Sequence, residues 1–112
     1  MLEQSIKKGK LTQQMNFNQK VWALTARIPK GQVVTYGDIA KALKSKAYRA
    51  VGHALNRNPY SPAVPCHRVV GSNGALTGFA GGLPKKRKML SEEGVRFVDN
   101  NRVDVSKRFT LV

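Results

Sequence analysis

The sequence predicts a mainly α-helical domain with short β segments, in which two consecutive helices form a winged-helix-like, helix-turn-helix arrangement. Three observations support this fold class. Apolar residues recur at helical spacing from Phe17 to Ile28, and two further helical patterns follow, interrupted only at Lys44-Ser45-Lys46. The β-branched runs are short, as in Val33-Val34-Thr35. At 112 residues the chain suits one domain.

Two capping boxes mark where the first helices begin. Asn16 and Gln19 have the spacing at which each side chain caps the backbone of the other, so a helix should start after Asn16 and end before Pro29. Thr35 and Asp38 repeat this spacing and predict a short second helix. The apolar stripe of the first helix is typical of a core-facing surface rather than of a site.

The helix predicted from residue 46 to residue 57, with Ser45 as its N-cap, has an apolar and a cationic face. The apolar face carries Ala47, Ala50, Val51, Ala54 and Leu55, and the other face carries Lys46, Arg49, His53 and Asn56. With the short helix before it, this segment fits the second helix of a helix-turn-helix, which enters a DNA groove, and Gly52 would allow close approach. An ordinary helical hairpin with a solvated basic face explains the pattern equally well.

The chain after this helix is expected to alternate loops with short elements. Three prolines keep residues 58–65 extended, Arg68-Val69-Val70 is strand-like, and Ser72-Asn73-Gly74 forms a turn. A further helix is predicted from Pro84 to Glu93, with Gly94 suited to its C-terminal cap. Four cations, Lys85, Lys86, Arg87 and Lys88, crowd its first turn, either for contact with phosphate or as a solvated cluster.

The expected domain boundaries follow the same periodicity. Residues 1–15 are polar and without a clear period, so we expect an N-terminal tail before a single domain at 16–112, whose last part, about 95–112, is a C-terminal extension with β-like apolar positions. No run approaches the ~20 apolar residues of a membrane helix. The N-terminus also lacks the apolar core of a signal peptide. The protein is therefore expected inside the cell, without a membrane partner.

Charge is the strongest compositional signal. The net charge is +14, and Asp38 is the only acidic residue between Glu3 and Glu92. Such a surface attracts polyanions, so nucleic-acid binding is favoured over the alternative of a charged surface that serves only solubility or salt adaptation.

The single cysteine, Cys66, excludes an internal disulfide, and with His53 and His67 it is one residue short of four zinc ligands. No metal site is therefore expected. A lone cysteine is commonly a small buried hydrophobe, but His67 and Arg68 next to it favour the reactive thiolate. Neighbours on a strand face opposite sides, so Cys66 and His67 could cooperate only if the chain bends or a water bridges them.

A carboxylate would be needed to orient His67. Glu93 is the most interesting candidate because acidic residues are scarce in this chain, and Glu92 is its competitor.

Together these residues carry a resemblance to a known family. They are Tyr36, Arg49-Ala50-Val51-Gly52, Asn58-Pro59, Pro65-Cys66-His67-Arg68-Val69-Val70, Phe79-Ala80-Gly81-Gly82 and Glu93-Gly94. In this order and at this spacing the set resembles the C-terminal active-site domain of the O6-alkylguanine-DNA alkyltransferases (methylated-DNA–protein-cysteine methyltransferases). The resemblance covers about residues 17–94.

The resemblance implies direct DNA repair. A member of this family binds duplex DNA through its helix-turn-helix in the minor groove, rotates an O6-alkylated guanine out of the stack, and moves the alkyl group onto its cysteine. Here that acceptor would be Cys66. The reaction is irreversible and single-use, needs no cofactor, and is carried out by a monomer.

The resemblance also implies which residues touch DNA. Arg49 is the finger that fills the space of the extruded base, while Ala47, Ala50 and Gly52 let the helix lie close to the sugar-phosphate backbone. Tyr36 rotates the phosphate of the nucleotide and donates a hydrogen bond to the leaving guanine. Further DNA contacts are expected from Thr35, Gly37 and Ser72.

A second group of residues would carry the chemistry and the base pocket. By the resemblance, Cys66, His67, Glu93 and a water form the relay that generates thiolate, and Asn58 braces the loop. The carbonyls of Cys66 and Val69 would accept the guanine amino group. The pocket is completed by Phe79 as a wall, by the Ala80 N–H facing O6, and by Gly81.

Departures from the family pattern leave alternatives open. Tyr48 and His53 occupy helix positions where the family often has small residues, and Phe79 and Ala80 stand where tyrosine and serine occur. The family commonly has a further N-terminal domain where a short tail is expected here. The main alternative is an alkyltransferase-like lesion sensor, in which tryptophan replaces the cysteine. A thiol hydrolase using Cys66, His67 and Asn58, or a plain helix-turn-helix regulator, explains less.

Overall fold

The computed structural model describes residues 2–61, 63–77, 82–106 and 108–111, and its mainly helical architecture with short strands confirms the predicted fold class. Its helices are α1 (Leu2–Lys7), α2 (Phe17–Ala26), α3 (Tyr36–Ala42), α4 (Tyr48–Asn56) and α5 (Leu83–Glu92), with a 3-10 helix at Cys66–Arg68. Its strands are β1 (Val34–Thr35), β2 (Val69–Val70), β3 (Phe97–Asp99) and β4 (Arg102–Val103). Within the described ranges, no helix has the length and apolar content to cross a membrane.

Both predicted capping boxes are present at the starts of α2 and α3. The Asn16 side chain accepts a hydrogen bond from the Gln19 N–H at 2.9 Å, and the Thr35 hydroxyl accepts one from the Asp38 N–H at 3.0 Å. The reciprocal bonds are also made, at 2.9 and 3.0 Å. These caps satisfy backbone donors locally, which is why the sequence locates them well.

Helix α4, the second helix of the helix-turn-helix, begins at Tyr48 rather than at residue 46. Ser45, the predicted N-cap, instead accepts a hydrogen bond from the Ala47 N–H at 3.0 Å, so it stabilises the turn and Ala47 takes the cap position. The buried residues of α4 are Val51, Ala54 and Leu55. Ala47 and Ala50, placed on the apolar face by the sequence pattern, are exposed beside Arg49.

A long-range strand pairing brings the front of α3 to the cysteine segment. Strand β1 pairs in parallel with β2, with Val34 opposite Val69 and Thr35 opposite Val70. Tyr36 is the first residue of α3 and follows β1 directly. The pairing therefore fixes Tyr36 beside the chain that leaves the 3-10 helix.

Helix α5 starts and ends one residue earlier than predicted, and Gly94 follows it in the left-handed conformation at φ 86°. Strands β3 and β4 form an antiparallel hairpin that packs on the predicted turn at residues 72–74. Gly74 has φ 87°, and a Cβ there would collide with the carbonyl of Val103. Three of the predicted β-like positions lie outside the strands: Val105, Phe109 and Leu111.

The N-terminal residues differ from the expected tail. Helix α1 packs against α2, and Ile6 and Met15 are buried in one cluster with Ala23 and Val64. Leu2 also packs there, because residues four apart share one face of a helix. Helix α1 has only 6 residues, which is too short for a helical period to be recognised in the sequence.

Candidate functional site

The proline-rich loop that leads to the cysteine is fastened by Asn58. The Asn58 side-chain amide donates to the Val64 carbonyl at 2.8 Å, and its oxygen accepts from the Tyr60 N–H at 2.9 Å. These bonds satisfy backbone groups that the prolines leave outside regular structure. The loop therefore delivers the next residues in a defined position.

Cys66 lies on a tight turn rather than on a strand. The Arg68 N–H bonds to the Pro65 carbonyl at 2.9 Å and closes the 3-10 helix Cys66–Arg68, which corrects the expectation that Arg68 begins the strand. The half-buried Cys66 and the buried His67 are thus consecutive residues of a turn. The bend that their cooperation requires is present.

Glu93 joins His67 to Arg68. Its carboxylate accepts hydrogen bonds from His67 Nε2 at 2.9 Å, from Arg68 Nε at 2.9 Å and from Arg68 Nη2 at 2.7 Å. Arg68 Nη1 donates to the Ile28 carbonyl at 2.7 Å, which holds the guanidinium from its other side. Of the two candidate carboxylates, Glu93 reaches the histidine, whereas Glu92 is exposed.

The protonation states within this cluster follow from burial and charge. Burial alone would raise the pKa of Glu93, but hydrogen bonds from Arg68 and His67 outweigh it and lower the pKa to about 2. Burial lowers the pKa of His67, and the Glu93 carboxylate opposes this only in part. At neutral pH the cluster therefore contains a carboxylate, a guanidinium and a neutral imidazole.

These charge states decide which nitrogen of His67 can act as a base. A carboxylate only accepts hydrogen bonds, so Nε2 carries the ring proton and donates it to Glu93. In a neutral ring the other nitrogen, Nδ1, is then an acceptor. Nδ1 is buried and has no hydrogen-bond partner among the described residues. The geometry leaves it available to accept a proton.

Lys86 is a site residue that the sequence pattern placed wrongly. Although it belongs to a run of cations at the start of α5, it is fully buried and donates to the Val69 carbonyl at 2.7 Å and the Thr77 carbonyl at 2.8 Å. Burial lowers the pKa of Lys86 to about 8, and its attraction to Cys66 opposes the shift. The sequence feature that could have indicated this burial is the spacing of four residues between Lys86 and Leu90, which puts both side chains on one face of α5.

The ring of Tyr36 lies close to the ammonium group of Lys86. Its hydroxyl donates to the Thr77 carbonyl at 3.1 Å and accepts from the Thr77 hydroxyl at 3.0 Å, and its ring centroid is 5.9 Å from Lys86 Nζ. Burial raises the pKa of Tyr36, and the charge of Cys66 adds to this, while the Thr77 hydrogen bond lowers it. Cys66, Lys86 and Tyr36 thus interact electrostatically.

A groove of about 350 Å³ connects the outer face of α4 with this tyrosine. It is lined by Tyr36, Tyr48, Arg49, Gly52, His53, Asn56 and Thr77. Nothing lies within 4 Å of a Cβ built on Gly52, so internal packing does not require glycine there. Glycine within a helix costs roughly 1 kcal/mol relative to alanine, which points to close approach of an outside molecule at this face.

The other predicted contact residues have varied positions. Thr35 is 5% exposed and its hydroxyl caps α3, so it shapes the helix start and presents little side chain to a partner. Ser72 is exposed in its turn, and a Cβ added at Gly37 would meet the ring of Tyr48. Phe79, Ala80 and Gly81, predicted for the base pocket, lie outside the described residues.

In the parts of the chain that the structure describes, no group of three or more His, Cys, Asp or Glu side chains has an arrangement that could hold a metal ion.

Comparison with known proteins gives a consistent result. A family model described as the DNA-binding domain of 6-O-methylguanine DNA methyltransferase matches residues 16–95. A methylated-DNA–protein-cysteine methyltransferase of Methanosarcina mazei is 54% identical over 78 residues, which are 69% of this chain and 49% of that protein. The chain therefore spans about half the length of the curated relatives it matches.

Two solved structures are similar to this chain. The OGT protein of Mycobacterium tuberculosis in complex with DNA has a TM-score of 0.69 and 38% identity, covering 83% of this chain and 63% of that one. S. pombe Atl1, in complex with damaged DNA containing O6-carboxymethylguanine, has a TM-score of 0.67 and 31% identity, covering 80% of this chain and 88% of that one. With the match over residues 16–95, the chain belongs to the family of the 6-O-methylguanine DNA methyltransferases, within their DNA-binding domain.

Proposed function

We propose that this protein repairs DNA directly by moving the alkyl group of O6-alkylguanine from duplex DNA onto the sulfur of Cys66. The observation that carries the proposal is the cluster at the cysteine. The Glu93 carboxylate binds Nε2 of a neutral His67, so Nδ1 is left as a base on the residue that directly follows Cys66. Relatives that are 40–54% identical are named methylated-DNA–protein-cysteine methyltransferases, which supports the same activity here.

The transfer is a single displacement. His67 Nδ1 accepts the thiol proton, directly or through a water, and the thiolate attacks the alkyl carbon. A sulfur–carbon bond forms while the carbon–oxygen bond breaks, and its electron pair stays on the guanine O6. The Tyr36 hydroxyl exchanges its hydrogen bond to the Thr77 carbonyl for one to the leaving base, which then takes up the proton that His67 accepted. The displacement needs no external oxidant or reductant, and therefore no cofactor. Because the thioether is stable, each protein molecule reacts only once.

The groove on α4 would bring the lesion to this cysteine. Arg49 on the exposed face fills the gap left by the extruded nucleotide, and the exposed Ala47 and Ala50 with the half-buried Gly52 let the sugar-phosphate backbone lie against the helix. The net charge of +14 favours association with duplex DNA. A protein acting on DNA in this way works inside the cell, as a monomer.

The remaining predicted roles belong to the same proposal. Asn58 keeps the loop in place, and the carbonyls of Cys66 and Val69 receive the guanine amino group. Phe79, Ala80 and Gly81 complete the base pocket, and Ser72, Gly37 and Thr35 lie along the DNA contact. The alternative of a lesion sensor is not favoured, because Cys66 is present where such proteins have tryptophan.

Intact mass spectrometry tests the proposal directly. After incubation with a duplex containing O6-methylguanine, the protein should gain one methyl group on Cys66, and the DNA should regain guanine. Cys66→Ala should remain unmodified under the same conditions. Tight binding of the lesion by an unmodified wild-type protein would instead establish the sensor.

The role of Arg49 has its own test. Because extruding a base costs a few kcal/mol, Arg49→Ala should slow repair of duplex DNA roughly tenfold to 100-fold while leaving reaction with free O6-benzylguanine nearly unchanged. Arg57→Ala removes a cation from the C-terminal end of the same helix and is the matched control. Equal losses on both substrates would contradict a finger role for Arg49.

A further inference from the structure

The C-terminal segment, residues 96–106 and 108–111, follows the part of the chain matched by the family model, which ends at residue 95. It nevertheless makes two contacts with the parts of the domain that hold Tyr36. One contact holds the backbone at the start of α3, and the other holds the turn that binds the Tyr36 hydroxyl. The segment therefore has a direct connection to the reaction proposed above.

The first contact is an ion pair on the capping residue of α3. Arg108 Nε donates to Asp38 Oδ2 at 2.7 Å, and Arg108 Nη2 lies 3.4 Å from Oδ1. The same Oδ2 accepts the Thr35 N–H at 3.0 Å. Tyr36 lies between the two residues of this capping box, so the carboxylate that Arg108 holds also orients the turn carrying Tyr36.

Arg108 is itself held by the residues around it. Its Nη1 donates to the Val105 carbonyl at 3.2 Å, and the following N–H, of Phe109, donates to the Val33 carbonyl at 2.9 Å. Leu111 is 7% exposed and packs in the cluster that includes Val34. The end of the segment is thus anchored at Val33, directly before β1, the strand that leads into Tyr36.

The second contact lies at the tyrosine hydroxyl. Thr77 binds that hydroxyl, and the residues before Thr77 pair with the C-terminal hairpin. The Leu76 N–H donates to the Asn101 carbonyl at 2.8 Å, and the Val103 N–H donates to the Gly74 carbonyl at 2.9 Å. One continuous segment therefore positions both the backbone and the hydroxyl of Tyr36.

We propose that Arg108 is a positioning residue for alkyl transfer, acting through Asp38 to hold Tyr36 where its hydroxyl meets the leaving guanine. The inference rests on the proposed function. A hydrogen bond to a leaving group is effective only when the donor is fixed before the reaction begins. Without the Arg108 guanidinium, Asp38 is held only by the capping bonds to Thr35. The start of α3 then becomes more mobile, and the Tyr36 hydroxyl is misplaced in part of the protein population.

The test is a double-mutant cycle measured in single-turnover reactions of the full chain. Arg108→Ala should lower the transfer rate constant at saturating duplex about fivefold to tenfold, with the half-saturating DNA concentration nearly unchanged. Arg108→Lys should recover part of the rate. In a Tyr36→Phe background, where the hydroxyl is already gone, Arg108→Ala should have little further effect.

Lys7→Ala is the matched control, because Lys7 makes an exposed ion pair with Glu3 at 3.2 Å on α1, outside the C-terminal segment. It should keep the wild-type rate. Free O6-benzylguanine, which has no phosphate, distinguishes two explanations for a slower Arg108→Ala protein. Misplacement of Tyr36 slows reaction with both free O6-benzylguanine and duplex DNA. Loss of a phosphate contact slows only the repair of duplex DNA.

Three results would overturn the inference while transfer by the wild-type protein still succeeds. They are equal rates for Arg108→Ala and Lys7→Ala, a loss confined to duplex DNA, or the same fold-loss in the Tyr36→Phe background. Absence of methyl transfer to wild-type Cys66 would instead reject the proposed function itself.

Discussion

Replacing Glu93 by glutamine should slow alkyl transfer to Cys66 about 100-fold. The carboxylate accepts three hydrogen bonds, from His67 and Arg68. In a glutamine side chain an amide NH2 group replaces one carboxylate oxygen. This donor would then face an N–H group of His67 or Arg68. His67 then loses the partner that fixes its ring proton on Nε2, and Nδ1 is no longer reliably the basic nitrogen. Single-turnover reaction with free O6-benzylguanine measures this effect without a contribution from DNA binding.

The same substitution should destabilise the fold, on the order of 3 kcal/mol at neutral pH, because it leaves the partly buried Arg68 guanidinium without its counter-charge. Its pH dependence has a defined sign. The pKa of Glu93 is lowered from 4.5 to about 2, so the stabilisation is complete above about pH 5 and is lost as the pH falls through 2. Denaturant unfolding of wild type and Glu93→Gln should therefore converge near pH 2.

Glu92→Gln is the control for both measurements, since it changes the exposed neighbour of Glu93 by the same atoms. It should match wild type in rate and in stability. A Glu93→Gln protein with an unchanged rate would show that Glu93 has only a structural role. Parallel stability curves for Glu93→Gln and wild type down to pH 2 would contradict the lowered pKa.

Replacing Lys86 by methionine should slow the reaction roughly tenfold to 100-fold without unfolding the protein. The buried ammonium attracts the Cys66 thiolate, and methionine of similar length fills the space without that charge. Burying a charge is costly, so its removal offsets the loss of the hydrogen bonds to the Val69 and Thr77 carbonyls. The free energy of unfolding should change by only about 1 kcal/mol.

The pH profile distinguishes an electrostatic role for Lys86 from a packing role. Burial lowers the pKa of Lys86 to about 8, so the ammonium is present below this pH and lost above it. The wild-type rate should therefore show a descending limb above about pH 8, and this limb should disappear in Lys86→Met. Lys85→Met, at the exposed neighbouring position, should retain it when assayed on free O6-benzylguanine. A descending limb that persists in Lys86→Met would assign it to another group.

The elements that the sequence predicted well are those decided by near neighbours. The capping boxes at Asn16 and Thr35 act over three residues, and the prolines before Cys66 restrict their own backbone and that of the preceding residue. The start of α4 was less predictable, because Ser45 could cap either the helix or the turn before it. Helix α1 was missed because its stability comes from burying Ile6 against α2 rather than from its own pattern.

By itself, then, the sequence determined where most helices begin, the candidate reactive pair of Cys66 and His67, and the cationic outer face of the second helix. The tertiary structure decided which carboxylate orients the histidine, which lysine is buried and interacts electrostatically with Cys66, and what holds Tyr36. The physical reason is distance along the chain. Glu93 and His67 are 26 residues apart, Lys86 and Val69 are 17 apart, and Arg108 and Asp38 are 70 apart. Such contacts form only after the core has packed, and local preferences do not encode them.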